Sequence, residues 1–231
     1  MNKQRQQQNL LQSQDGGYTI IESLVAMIVV SVLMIAIAPV MAFSVGTRVQ
    51  ARRTELATQA ARAYIDALRT GALRPSGSTP ASLPGFPTIR VADNQPVATA
   101  AAPSSSDINR LYCVDFDLTG TCEVSSSKDF FVQGAWQVPS SVTLTPAGDP
   151  TSVGYELMVR VYRADSFAPG APGLNQNPSQ GKKQSVVGGL GDRTMPVVEM
   201  TTQIPPTSGG SSAYRSLCSR LKKVSNPTAC N

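Results

Sequence analysis

The sequence predicts an α+β protein in which a long N-terminal membrane and stalk α-helix packs on a small antiparallel sheet with long loops and a disulfide-closed C-terminus. Three observations carry that reading. Leu24 to Val45 is a run of 22 residues without a charged side chain. Apolar positions at helical spacing continue beyond it, and period-two alternation marks strands beyond residue 107, where all four cysteines lie.

The helix comes first along the chain. At 1.5 Å per residue, the uncharged run is long enough to cross a hydrocarbon layer of about 30 Å. It is also too long for the apolar core of a cleaved secretory signal, which runs about 7 to 15 residues. Met1 to Gly17 is polar and Gln-rich and reads as a leader. An ordinary signal anchor would leave Glu22, a lone carboxylate on the rim of the apolar run, unexplained, because ionised groups there are costly and usually functional. Past Pro39, which removes one helical hydrogen bond and is expected to kink the helix, Val45, Val49, Leu56, Ala60, Tyr64 and Leu68 form one stripe expected to pack on the head. Gly71 and Pro75 supply the stop. The predicted organisation is a leader at 1–17, a transmembrane half-helix at 18–45, an amphipathic half-helix at 46–70, a Pro/Ser/Ala-rich loop at 71–107 and a β-rich head at 108–231.

Six prolines between Pro75 and Pro103 argue against regular structure in the loop. Strands are expected at about 108–116, 129–138, 153–163 and 194–204. In the third, Val153, Tyr155, Leu157, Val159 and Val161 alternate with Gly154, Glu156 and Arg160, predicting a half-buried strand. In the fourth, Val198, Met200, Thr202 and Ile204 share one face. Ser166 to Lys183 reads as a connecting loop. A short C-terminal helix capped by Ser211 or Ser212 is expected to carry Leu217 and Leu221.

Cys113, Cys122, Cys218 and Cys230 are an even set suited to two disulfides in an oxidising compartment. Three pairings are open. Short loops close readily, which favours Cys113 with Cys122 and Cys218 with Cys230. The net charge of +5 comes from scattered positives with no basic block, so no nucleic-acid partner is expected. The chain contains no histidine, which removes the commonest general base and metal ligand. No catalytic signature replaces it, so neither an enzyme nor a cofactor is expected.

Gly17-Tyr18-Thr19-Ile20-Ile21-Glu22-Ser23-Leu24-Val25 resembles the processing motif of the type IV prepilin family: glycine before the cut, an N-methylated residue after it, and glutamate fifth in the mature chain. Tyr18 stands where phenylalanine is commonest and keeps an aromatic ring. Pro39, 22nd in the mature chain, sits where many pilins carry a proline. Four further blocks are similar to the B-type pseudopilin family of cyanobacterial hormogonium polysaccharide secretion: Thr47 to Asp66 (TRVQARRTELATQAARAYID), Val159 to Asp165 (VRVYRAD), Gly188 to Arg193 (GGLGDR) and Val198 to Thr202 (VEMTT).

The resemblance implies cleavage between Gly17 and Tyr18 by a prepilin peptidase, N-methylation of Tyr18 and a role for Glu22 in assembly. It implies an inner-membrane protein with a periplasmic head, other pilin or pseudopilin subunits and an inner-membrane assembly platform as partners, and a minor filament subunit supporting polysaccharide secretion and gliding motility. It also implies a disulfide-closed C-terminal region. Charge alone leans the other way on orientation, because Arg48, Arg52 and Arg53 follow the apolar run while only Lys3 and Arg5 precede it; cytoplasmic cutting of prepilin leaders decides for an external head.

Several motifs carry a sharper and a plainer reading. Asp115, Asp117 and Thr119, with Gly120, alternate as in calcium loops, yet the twelfth position counted from Asp115 is Ser126 and not an acid. A disulfide-closed turn is therefore expected and no metal site. Gly188 to Gly191 lacks the Lys-Ser/Thr ending of a phosphate loop and reads as a turn. Trp136 is read as core and not as a sugar platform, although polysaccharide contact stays open. Arg48, Arg52 and Arg53 read as a solvated juxtamembrane cluster. The alternatives in other classes are a membrane-tethered extracytoplasmic adhesive or binding protein that does not assemble and, weaker still, a tethered hydrolase.

Overall fold

Thr19 sets the start of the long helix, its hydroxyl and carbonyl oxygens accepting the Glu22 N–H at 3.3 and 3.0 Å. The helix, α1, runs over Ile20–Thr70, 51 residues, and continues through Pro39. Gly71, with φ of +77°, ends it in the left-handed region that glycine adopts without strain. The structure, a computed structural model, describes residues 19–73, 86–87, 89–92, 95–138, 144, 150–176, 192–206 and 218. Contacts divide the chain into two units, Met1–Val45 and Gly46–Asn231.

In the first unit α1 is long and apolar enough to cross a membrane, and no residue of its most apolar stretch is buried. Leu24, Ile28, Ile35 and Phe43 are all more than half exposed. The hydroxyls in this stretch are satisfied from within: Ser23 Oγ donates to the Ile20 carbonyl at 2.8 Å and Ser31 Oγ to the Met27 carbonyl at 2.7 Å. Such back-bonding is what a polar side chain needs where water is absent.

In the second unit the later turns of α1 bury Ala57, Ala60, Ala61, Tyr64, Ile65 and Leu68 against a sheet. The strands are β1 (Ile89–Arg90), β2 (Tyr112–Val114), β3 (Phe130–Gln137), β4 (Tyr155–Arg163) and β5 (Val198–Ile204). The order is β1-β3-β4-β5, with β2 also paired to β3. β2 pairs with Phe130 to Val132 and β1 with Ala135 and Trp136, so the two short strands share one edge of β3. Phe130, Val132 and Trp136 from β3 and Tyr155, Leu157, Val159 and Val161 from β4 form one core with the helix. Each such buried side chain contributes about 1.5–3 kcal/mol of transfer free energy. Small residues let helix and sheet approach closely. At Gly134 an added Cβ would collide with the Tyr64 hydroxyl and come within 2.8 Å of Pro87 Cβ, which explains a glycine in the middle of a central strand.

The α+β architecture is as predicted, and five details differ. The sheet is mixed and not purely antiparallel, because β1 runs parallel to β3. That strand and the 3₁₀ turn Val97–Thr99 lie inside the stretch read as loop, where short elements fit between the prolines. β4 is buried on both faces and not half-buried: Met158 packs with Val91, Val97 and Ala100, and Tyr162 packs with Phe131 and Phe167. The strand expected at 108–116 shrinks to three residues. Upstream, Asp107 takes hydrogen bonds from the Ser104 N–H and hydroxyl at 2.9 and 2.6 Å and fixes a 3₁₀ helix over Ser105–Arg110. Val45 and Val49, the first members of the predicted stripe, are 64% and 39% exposed, and burial in the second unit's helix begins instead at Gln50.

Arg160 joins the second face of the sheet to what covers it. Its Nε contacts Glu199 Oε2 on β5 at 2.7 Å, and its two terminal nitrogens donate to the Ala100 and Ala98 carbonyls at 2.6 Å each. The guanidinium fork thereby pins the 97–100 segment across β4. Phe167, buried with Phe131 and Tyr162, anchors the start of the loop expected from Ser166. The expected short C-terminal helix lies outside the described residues, except for Cys218, which is helical and buried.

Candidate functional site

Two regions hold the residues singled out by sequence. The first is the start of α1. Gly17 and Tyr18 lie outside the described residues. Glu22 sits in the first turn of α1, exposed, where a carboxylate interacts favourably with the helix N-terminus. Pro39 lies within the exposed apolar stretch. Arg48 and Arg52 are exposed, whereas Arg53 is half-buried and its guanidinium pKa is lowered, first by burial and then by Arg163.

The second region is the loop from Cys113 to Asp129. A disulfide joins Cys113 and Cys122, as sequence proximity favours. Cys218 is also disulfide-bonded, and Cys230 lies outside the described residues. Inside the closed loop Asp115 organises the backbone: its Oδ1 accepts the N–H groups of Asp117 and Leu118 at 2.9 and 2.7 Å, and its Oδ2 that of Gly120 at 2.7 Å. The turn forces Leu118 to a φ of +62° and leaves its side chain 89% exposed, a conformation that favours glycine or asparagine. Ser126 Oγ donates to Asp117 Oδ2 at 2.8 Å, and this bond is the main cause holding the Asp117 carboxyl below the usual carboxylate range.

Asp129, immediately before β3, completes the group. It is 1% exposed, and its Oδ2 accepts the Glu123 N–H at 2.8 Å. A carboxylate oxygen from each of Asp115, Asp117 and Asp129 lies within 4.8 Å of the other two. Sequence reasoning singled out the first two and missed Asp129, because the third carboxylate arrives through the pairing of β2 with β3 and not through the loop's own spacing. Trp136 is core: it is 3% exposed, meets Tyr155 edge-on and lies 5.4 Å from the Arg90 guanidinium. Gly188 to Gly191 falls outside the described residues.

Among the described residues the fold comprises an exposed apolar helix and a disulfide-bearing α+β unit. Comparison with family models, curated proteins and solved structures finds no match to this chain.

Proposed function

We propose that the chain is a minor pilin or pseudopilin, a structural subunit of a type IV pilus-like or type II-like secretion machine that supports polysaccharide secretion and gliding motility. One observation carries the reading: an apolar helix with no buried residue in its most apolar stretch begins with a carboxylate, Glu22, a few residues after the Gly17-Tyr18 step. An exposed apolar surface of this length needs lipid or neighbouring helices to cover it. The carboxylate stands on the rim of that apolar run, where an ionised group left unpaired in lipid is costly, so a cationic partner favours it there.

Removal of the leader by a prepilin peptidase supplies that partner. Tyr18 then carries a free α-amino group, still cationic after one methylation, one helical turn from Glu22. Between staggered neighbours the Glu22 carboxylate of one subunit pairs with the N-terminus of the next and sets the register of assembly. The head projects into the periplasm, and the partners are other subunits and the inner-membrane platform.

Two variants test the reading. Gly17→Val is expected to remain an uncut membrane precursor. Glu22→Ala is expected to be cut normally, to accumulate in the membrane and to be lost at least tenfold from filament fractions on immunoblots. Recovery of Glu22→Ala in filaments at the wild-type level would refute the pairing.

A further inference from the structure

We propose that Asp115, Asp117 and Asp129 form a binding site for a calcium ion in the disulfide-closed loop. The proposal stands independently of the filament reading. Asp129 is 1% exposed, its Oδ2 is taken by the Glu123 N–H, and its Oδ1 is buried with no hydrogen-bond donor among the described residues. Asp117 is half-exposed; its Oδ1 has no well-formed hydrogen bond among the described residues, although Thr119 lies beside the carboxylate. Among the described residues no lysine or arginine forms an ion pair with any of the three. Asp129 is thus a buried carboxylate with one oxygen that has no donor and with no counter-charge among the described residues, and buried charges in proteins are paired or coordinate metals.

The geometry and chemistry select the ion. All the donors are oxygens, which suit a hard cation. Calcium accepts about six to eight oxygen ligands at about 2.3–2.6 Å in flexible geometry, whereas magnesium demands a near-ideal octahedron and gives up its waters reluctantly. Carboxylate oxygens all within 4.8 Å of one another fit such a flexible calcium shell. Asp115 is held by three backbone N–H groups and Asp117 by Ser126, so two ligands are oriented in advance. The Cys113–Cys122 disulfide closes the loop that carries them, and β3 fixes the third.

In a helix–loop–helix calcium loop the last acidic ligand comes from the twelfth position. Here that position, Ser126, bonds to Asp117, and Asp129 stands in for it from the adjoining strand.

The test uses the full chain purified in detergent, with isothermal titration of calcium chloride and thermal unfolding in EGTA, calcium or magnesium. Calcium at a hundredfold excess over its Kd is expected to raise the melting midpoint by about 5–10 °C over EGTA. Magnesium at the same concentration is expected to give less than half that shift. Asp129→Asn removes a ligand charge and is expected to abolish the calcium-dependent shift. Should that variant fail to fold, Asp117→Asn, on the half-exposed side of the cluster, is expected to weaken calcium binding at least tenfold. Absence of heat and of a calcium-dependent shift in the wild-type chain would overturn the proposal, as would an undiminished shift in either folded variant.

Discussion

Replacing Arg160 by methionine keeps most of the side chain's apolar stem and removes its fork. The loss is one ion pair, between side chains 4% and 11% exposed, and two charge-assisted hydrogen bonds to the Ala98 and Ala100 carbonyls. Glu199 is then left nearly buried without its partner. Removing one member of a buried pair costs about 3–5 kcal/mol. At about 2–4 °C per kcal/mol for a unit of this size, thermal unfolding followed by circular dichroism should show a midpoint lowered by about 6–20 °C. Amide exchange should quicken first at Val97 to Ala100, the segment the guanidinium holds. Combining Arg160→Met with Glu199→Met removes the stranded charge and should recover more than half of the loss. A single-variant drop below about 3 °C, or a double variant no better than Arg160→Met alone, would refute the assignment of Arg160 as the clamp across the second face.

Gly134→Ala should destabilise the head by about 1–3 kcal/mol, because its Cβ has no room beside Tyr64 and Pro87. Tyr64→Phe in that background should restore part of the loss in chemical denaturation, since the buried Tyr64 hydroxyl has no hydrogen-bond partner among the described residues. Burial pushes the Tyr162 hydroxyl up to about 12. A folded-state pKa above the unfolded value near 10 contributes stability that is complete below pH 10 and lost as pH rises from about 10 to 12, and Tyr162→Phe should flatten that part of the pH–stability profile.

The features that act locally were the ones legible in the sequence. Length and absence of charge located the apolar half of α1, alternation located β4 and β5, and short separation favoured the Cys113–Cys122 bridge. Alternation misleads where tertiary structure covers both faces: it predicts a half-buried β4 with Arg160 opposite the apolar face, yet carbonyls of the 97–100 segment and Glu199 of β5 meet Arg160 there. β1 was hidden because two residues between prolines carry no period, and its parallel partner lies more than forty residues away in sequence. The candidate acidic site was half visible. Asp115 and Asp117 announce themselves by spacing, whereas Asp129 joins them only through strand pairing.

Maturation as a prepilin, proposed above, fixes the mature N-terminus, and mass spectrometry of the N-terminal peptide from the membrane-bound protein reads it. The expected chain begins at Tyr18 and carries one N-methyl group on its α-amine; a chain that retains residues 1–17, or is cut at another position, would refute the proposal.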